Sequence, residues 1–239
     1  MVVLFEKTRR PLQNIFTDIP PHYDLINRVI TCGMDKSWRL RAARNCLSGS
    51  PSRVLDLCCG TGDLSLDIAR LAENKLEMFG LDFSDPMLEI ARRKAQEAGI
   101  NVNFVNGDAS NLPFPDNYFD CVGISFAFRN LTYRHPNMSR HLSEIFRVLR
   151  PGGRFVIVES SQPANPIIRF LDHLYIRTFV YLTGVLISRN RGAYSYLKNS
   201  SINFYSPEEL TEILIATGYR QVTYQRLFFG ASAIHVAIK

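Results

Sequence analysis

Short apolar runs alternate with amphipathic segments along most of this chain. Runs with the length and composition of strands lie at residues 54–57, 76–81, 102–105, 119–126 and 154–159. Apolar residues at helical spacing lie at 64–71, 85–98, 138–149 and 207–217. Two final runs, 221–228 and 232–239, are joined through Gly230 and predict a hairpin. This alternation predicts an α/β domain with a mostly parallel sheet and an antiparallel edge strand.

A glycine-bracketed turn follows the first predicted strand. Asp56 lies at the end of the apolar run, and Gly60, Thr61, Gly62 and Asp63 lead into the helix. Gly60 and Gly62 can adopt positive φ, which allows the backbone to close around a ligand. Because the turn carries acids and no basic residue, it suits a nucleoside with a cationic group better than a pyrophosphate.

Acidic residues also end the next two predicted strands. Asp82 follows the glycines by about 20 residues, the spacing at which nucleotide-binding α/β folds place an acceptor for ribose hydroxyls. Asp108 follows the third strand within Asn106-Gly107-Asp108-Ala109. The carboxyl ends of parallel strands are where ligands bind in open sheets, so the acids predict a nucleoside site. For each acid taken singly, a helix cap or a turn is the alternative.

Two segments fit nowhere in the predicted sheet. Residues 12–48 contain Tyr23 and the only tryptophan, Trp38, and residues 160–206 are rich in Tyr, Phe and Arg. We expect the whole chain, residues 1–239, to form a single domain. Within it, the first segment would be an N-terminal helical cover and the second an inserted helical cover. Such covers suit a hydrophobic, flat substrate, and core packing is the alternative for each aromatic residue.

Cysteine usage and hydropathy limit the class of protein. The five cysteines lack metal-ligand or Cys-x-x-Cys spacing, so we expect a reduced, cytoplasmic protein without a metal site. Within the hydrophobic region 166–188, the longest stretch without charge is 178–188. That is shorter than the roughly 20 residues that a bilayer span needs, so an integral membrane protein is not expected.

The net charge of +6 is unevenly distributed. Residues 51–125 carry six basic and twelve acidic residues, a balance of −6, whereas 126–192 carry ten arginines and three acids, a balance of +7. The arginines suit peripheral association with the inner face of an anionic membrane. The alternative is a basic surface that is simply exposed to solvent. No nucleic-acid module is present, so nucleic acid is not expected as a partner. A second copy of the chain, forming a homodimer, is a further candidate partner.

Several motifs resemble a known family. The stretch from Leu55 to Asp63 is similar to the S-adenosylmethionine loop of class I methyltransferases. Four further motifs resemble the ubiquinone/menaquinone-biosynthesis C-methyltransferases of the UbiE/MenG type. They are Tyr23-Asp24-x-x-Asn27 with Trp38, Phe128-Arg129-Asn130-Leu131-Thr132, Arg147 to Gly153 continuing to Ser161, and Ala193 to Ser200. The resemblance implies a Rossmann-like fold with seven strands and S-adenosylmethionine as the cofactor.

The residues and the resemblance together predict a cofactor site. The glycine turn and the strand-end acids contribute Asp56, Gly60, Gly62, Asp82 and Asp108. The resemblance repeats the two last-named acids and adds Thr61 in the turn, Ala109 near the adenine and Ser125 at the end of the fourth strand.

The implied reaction moves a methyl group from the sulfonium to a ring carbon of a prenylated quinol. Arg129 would then stabilise a phenolate, with Asn130 as a hydrogen-bond donor, and a structural ion pair is the alternative for Arg129. Tyr23, Tyr194 and Tyr196 are the expected ring contacts. Two other functions fit the same residues: methylation of O, N or a ring carbon of another small aromatic or lipid, and a non-catalytic cofactor-binding subunit.

Overall fold

A computed structural model describes residues 20–73, 75–188 and 190–239, and the side chains of these except 20–23 and 188. The strands are β1 (Arg53–Leu57), β2 (Glu77–Asp82), β3 (Asn103–Asn106), β4 (Phe119–Ser125), β5 (Leu149–Ser160), β6 (Gln221–Leu227) and β7 (Ser232–Ile238). The helices are α1 (Pro20–Ile30), α2 (Met34–Cys46), α3 (Asp63–Leu71), α4 (Asp85–Ala98), α5 (Phe128–Thr132), α6 (Met138–Val148), α7 (Pro166–Tyr175), α8 (Tyr181–Ser188), α9 (Arg191–Ile202) and α10 (Pro207–Thr217). A π turn, Ile176–Val180, joins α7 to α8.

The seven strands form one sheet in the order β3-β2-β1-β4-β5-β7-β6. The first five pair in parallel, and β7 runs antiparallel to both β5 and β6. The prediction of a mostly parallel sheet with an antiparallel strand near one edge is therefore confirmed. The structure adds that β7 lies one position inside the edge, because the hairpin returns with β6 outermost.

The sheet lies between two layers of helices. Along β5, Phe155 and Ile157 belong to one buried cluster, and Val156 and Val158 belong to the cluster on the opposite face. This alternation follows from the two-residue period of a strand, and both faces are apolar because helices cover both. Near β4 the second cluster is completed by α2, whose Trp38 packs there.

Local signals set the helix ends that the sequence predicted. Ser84 is the N-cap of α4, and Gly99 ends that helix with φ of 64°. At α10, the Ser206 hydroxyl accepts from the Glu209 N–H and the Glu209 carboxylate accepts from the Ser206 N–H, which makes a capping box.

The two segments outside the sheet pack against each other. Ile26 of α1 lies in a small cluster with Ala193 and Tyr194 of α9, and α8 contributes partly buried side chains. Gly184 of α8 permits this approach, because a Cβ atom there would overlap the Tyr194 ring. Residues far apart in sequence therefore form one layer of helices beyond the sheet.

Candidate active site

The glycine turn after β1 forms a small pocket. Gly60 and Gly62 have φ of 53° and 82°, so the turn uses the conformational freedom that the sequence predicted. Four of the predicted cofactor residues, Asp56, Gly60, Thr61 and Ser125, line this pocket of about 70 Å³. A Cβ atom on Gly60 would meet nothing within 4 Å, so open space lies beside the turn.

Asp56 is fully buried beneath the turn. Its Oδ2 atom accepts hydrogen bonds from the Ser65 N–H at 2.9 Å and the Ser65 hydroxyl at 2.7 Å. Burial raises the pKa of Asp56 to about 7, although the two bonds from Ser65 lower it. This carboxylate therefore changes charge near neutral pH.

Asp82 and Asp108 lie at neighbouring strand ends, as predicted, but both serve the local backbone. Asp82 accepts from the Gly60 N–H at 2.9 Å through Oδ2 and from the Ser84 N–H at 2.9 Å through Oδ1. Asp108 accepts from the Ser110 N–H at 2.7 Å. These bonds are those of turn formers, the alternative that the sequence left open. Ribose binding by these acids stays a prediction.

Gly62 and Ala109 lie outside the lining of the turn pocket and of the large cavity described below. A Cβ atom on Gly62 would come within 2.9 Å of the Ala91 Cβ, so this glycine allows α3 to approach α4. Ala109 is buried in the core cluster beside the sheet. Their contact with the cofactor also stays a prediction.

Two basic residues that the sequence analysis missed bind the acids around the turn. Arg39 of α2 forms ion pairs with Asp35 at 3.1 Å, Asp63 at 3.2 Å and Asp67 at 2.8 Å. The four-residue spacing of Asp35 and Arg39 on one helix was an available signal. Burial acts to raise the pKa of Asp63, but Arg39 and Lys94 lower it overall. Arg39 also lines the turn pocket.

Lys94 is the second of these basic residues. Its ammonium group contacts the Asp24 carboxylate, the Asp63 carboxylate at 2.8 Å and the Thr61 hydroxyl at 3.1 Å. The Thr61 hydroxyl in turn donates to Asp24 at 2.7 Å. α1 is therefore tied to the glycine turn by hydrogen bonds, and Asp24 had been part of the Tyr23-Asp24-x-x-Asn27 motif without an assigned role.

A much larger cavity, of about 600 Å³, lies between the sheet and the layer of helices. Its wall is mostly apolar and aromatic and includes Trp38. Arg129, Asn130, Tyr194 and Tyr196 line it, as the resemblance implied. The side chain of Tyr23 lies outside the described residues, so its ring contact stays a prediction.

The turn pocket and the cavity adjoin. Asn27, Asp35 and Phe126 line both. Phe126 directly follows β4 and has φ of 54°, an uncommon conformation for an aromatic residue. A molecule in the turn pocket and one in the cavity would meet beside these three side chains, which is the arrangement that a transfer between two ligands requires.

Arg129 lies in the cavity wall but is held by a buried ion pair. Its Nη1 atom donates to Glu159 Oε1 at 2.8 Å and to Ser160 Oγ at 2.9 Å, and its backbone N–H donates to Glu159 Oε2 at 3.0 Å. The guanidinium is 5% and the carboxylate 2% exposed, so the pair is shielded from water. A structural role for Arg129 predicts this ion pair, and a catalytic role requires its position in the cavity wall.

Asn130 and Tyr196 form a second polar group in the same wall. The Tyr196 hydroxyl donates to Asn130 Oδ1 at 3.2 Å, which leaves the amide nitrogen of Asn130 as a donor. Burial raises the pKa of Tyr196, so its hydroxyl stays protonated and continues to donate at neutral pH.

These donors and acceptors fit S-adenosylmethionine. The turn pocket offers the Asp56 carboxylate to a cationic group, and the space beside Gly60 accepts a ligand against bare backbone. The residues that would hold it are Asp56, Gly60, Thr61, Ser125 and Asp82. The cofactor supplies a methyl group made electrophilic by a sulfonium.

Comparison with known proteins gives a consistent picture. A model of the ubiE/COQ5 methyltransferase family matches residues 3–239. The chain is 44% identical over 222 residues to a demethylmenaquinone methyltransferase of Thermus thermophilus, covering 93% of this chain and 98% of that protein. It is 36% identical to the ubiquinone/menaquinone biosynthesis C-methyltransferase UbiE of Pseudomonas putida, covering 96% and 89%.

The fold also matches solved structures. A SAM-dependent methyltransferase from Aquifex aeolicus superimposes with a TM-score of 0.54 at 19% identity, covering 78% of this chain and 81% of that one, which shows the fold alone. The activity is established by the family match and by the relatives that align over most of their length. The chain belongs to the ubiE/COQ5 methyltransferase family and is an S-adenosylmethionine-dependent methyltransferase.

Proposed function

We propose that this enzyme methylates a ring carbon of a prenylated quinol in quinone biosynthesis, with a demethylmenaquinol or a ubiquinol-type precursor as substrate. The observation that carries the proposal is the apolar cavity of about 600 Å³ that adjoins the cofactor pocket at Asn27, Asp35 and Phe126. Its volume and aromatic wall suit a flat hydrophobic ring. The relatives named demethylmenaquinone methyltransferase and UbiE support the same substrate class.

The segments 12–48 and 160–206, of which residues 12–19 and 189 lie outside the described residues, form the proposed substrate cover within a single domain. Trp38 of the first segment and Tyr196 of the second both line the cavity. Asn130, whose side-chain oxygen accepts from the Tyr196 hydroxyl, is the proposed donor to a substrate oxygen. Arg129, held by Glu159, is proposed to add positive potential where phenolate charge grows.

Peripheral membrane association belongs to the same proposal. Exposed apolar side chains lie along α7 and on the turn after β6, among them Ile167 (69% exposed), Phe170 (66%) and Phe229 (73%). Leu171 and Phe229 are exposed and also line the cavity, so the mouth of the cavity opens at this apolar surface. A bilayer is the proposed occupant because the tail of the substrate resides there, and the exposed Arg169 and Arg177 on the same helix suit anionic headgroups.

The sequence argument against a membrane span rested on the charge-free stretch 178–188, whereas the structure shows a longer helix that includes most of it. Pro166–Ile187 is a continuous helix of 22 residues with a mean hydropathy of 1.3, which is enough to cross a bilayer by length and composition. Crossing would withdraw Ile168, Tyr175 and Val180 from the cavity wall. We therefore propose that this helix lies along the membrane surface.

The test of function is methylation of a defined quinol. The purified enzyme, S-adenosylmethionine and a short-chain demethylmenaquinol are expected to give a product heavier by one methyl group, with the group on the ring carbon by NMR. In cells, deletion of the gene is expected to leave lipid quinones lighter by one methyl. Unchanged quinones, or methylation on oxygen or nitrogen of another aromatic, would contradict the proposal.

A further inference from the structure

Two carboxylates line the apolar cavity, and their surroundings differ. Asp35 pairs with Arg39 at 3.1 Å and accepts from the Thr31 hydroxyl at 3.0 Å. Asp172 follows Leu171 on α7, and both line the cavity. Its carboxylate has no hydrogen bond or ion pair within residues 20–73, 75–188 and 190–239. An unpartnered carboxylate beside an apolar cavity can bind a polar group of a ligand.

Most ionisable groups that face the cavity from other elements already have partners. Arg129 pairs with Glu159, and the Tyr196 hydroxyl donates to Asn130. Cys32, whose sulfur lies 3.8 Å from the Tyr175 hydroxyl, Tyr194 and the paired Asp35 complete the ionisable groups that other elements bring to the wall.

On α7 and the π turn, the charged or titratable neighbours are Arg169, His173, Tyr175 and Arg177. The Tyr175 hydroxyl donates to the Ile30 carbonyl at 2.9 Å. The His173 ring contacts Gln162 Oε1 at 2.9 Å. Burial and then the two arginines lower the pKa of His173, so this ring is neutral at physiological pH. Arg169 and Arg177 are exposed to solvent. None of these neighbours neutralises the Asp172 carboxylate by direct contact.

The protonation equilibrium of Asp172 suits proton transfer. Burial raises the pKa of Asp172 to about 6, so the carboxylate is ionised at neutral pH and is a stronger base than an exposed aspartate. A general base is most effective when its pKa lies near the working pH.

We propose that Asp172 is the catalytic base that accepts the proton of a quinol hydroxyl, an inference that rests on the proposed function. The O–H bond breaks, the proton moves to a carboxylate oxygen, and the electron pair stays on the substrate, where it raises the electron density of the ring carbon. After that carbon has gained the methyl group, it loses its own proton to water and the ring becomes aromatic again. Asp172 then returns its proton to the substrate oxygen, so one proton is released per methyl group.

The kinetic test compares Asp172→Asn with the wild type. The variant keeps the size of the side chain and cannot accept the proton, so the single-turnover rate at saturating cofactor is expected to fall about 10²–10⁴-fold. The wild-type rate should decline as the pH falls through about 6, and the variant should lack this decline. Glu97→Gln, an exposed carboxylate of α4 outside both pockets, is the matched control. A variant with the wild-type rate and pH profile would overturn the inference.

A second measurement needs no cofactor. Trp38 is the only tryptophan of the chain and lines the cavity, so its fluorescence reports binding there. Under anaerobic conditions, the wild type is expected to bind a soluble naphthohydroquinone more tightly than its dimethyl ether, with a preference that declines as the pH falls through about 6. Asp172→Asn should show a smaller preference that does not change with pH, because its amide oxygen still accepts a hydrogen bond but does not titrate.

The two ligands also separate the inference from the proposed function. If the wild type binds neither and methylates neither, the quinol substrate is wrong and the inference falls with it. If the wild type binds and methylates the hydroquinone but Asp172→Asn keeps the same preference and rate, only the inference is overturned. The wild-type pH dependence answers the question even if the variant does not fold, because a preference that does not change between pH 5 and 8 would exclude Asp172.

Discussion

Buried acids at strand ends shape this active site before any ligand binds. Asp56, Asp82 and Glu159 lie at or near the carboxyl ends of β1, β2 and β5, and each accepts backbone N–H groups. The donors are Ser65 for the first, Gly60 and Ser84 for the second, and Arg129 and Ser160 for the third. Substituting any of these acids therefore changes both the loop and the chemistry, and an experiment has to separate the two effects.

Arg129 allows such a separation. Arg129→Met alone leaves the buried Glu159 carboxylate without its cation, and we expect the free energy of unfolding to fall by about 3–5 kcal/mol. Adding Glu159→Gln removes that unpaired charge and keeps an acceptor for one of the two backbone N–H groups, so urea denaturation of the double variant should show part of the stability restored. Its single-turnover rate should still be about 10²–10³-fold below wild type, because the cation is absent. A stable double variant with a normal rate would show that Arg129 is only structural.

Asp56 predicts an unusual dependence of stability on pH. Its pKa is about 7 in the folded protein and near 4 in the unfolded chain, so the folded state binds more protons between these values. The stability contributed by this group is full below about pH 4 and is lost as the pH rises through about 7. Asp56→Asn should therefore unfold with a free energy higher by about 2–4 kcal/mol at pH 8 and little changed near pH 4. Parallel pH profiles from urea denaturation of the two proteins would contradict this.

At the scale of elements, the long helix formed by α7, the π turn and α8 has two sides with different tasks. Ile168, Tyr175 and Val180 face the cavity, whereas Ile167, Phe170 and Leu174 are exposed. The arginines of residues 126–192, which the sequence treated as one basic region, are also divided. Four form ion pairs with acids of the same chain or donate to its backbone carbonyls, namely Arg129, Arg140, Arg147 and Arg150. The apolar side of the helix, rather than a basic stripe, is therefore the main candidate for membrane contact.

Vesicle binding distinguishes the two contributions. Ile167→Ser with Phe170→Ser should weaken binding to anionic vesicles at every salt concentration, because apolar insertion is lost. Arg169→Gln with Arg177→Gln should weaken it chiefly at low salt, since exposed charges are screened over about 8 Å at physiological ionic strength. Ile215→Ser is the control, as Ile215 is 54% exposed but lies on α10. Co-sedimentation that is equal for the wild type and the serine variant would exclude this face as the contact.

At the scale of the whole molecule, the sheet could be predicted from sequence and the cavity could not. Strand runs, the glycine turn and Asp82 carry local signals, and parallel pairing brings their ends together without further information. The cavity is built from segments that are distant in sequence, so its wall depends on packing. From the sequence, Asp172 cannot be distinguished from any charged residue on a helix surface. Phe228 and Phe229 look like residues at the end of the first strand of the predicted hairpin. Only the packing of α1, α7 and α9 places them beside Arg129 and Trp38.

The mouth beside Leu171 and Phe229 has a consequence for selectivity. If the enzyme binds a prenylated quinol at a membrane as proposed, a cavity of about 600 Å³ would hold the ring and the first isoprene units, and any further units would extend through the mouth into the bilayer. The enzyme would then recognise the ring of its substrate and would not discriminate between prenyl tails of different length. Methylation rates of quinols with two, four and eight isoprene units in the same vesicles should agree within about threefold. One enzyme of this design could serve cells whose quinones differ in tail length, and a host's own tail length would be set by a different enzyme.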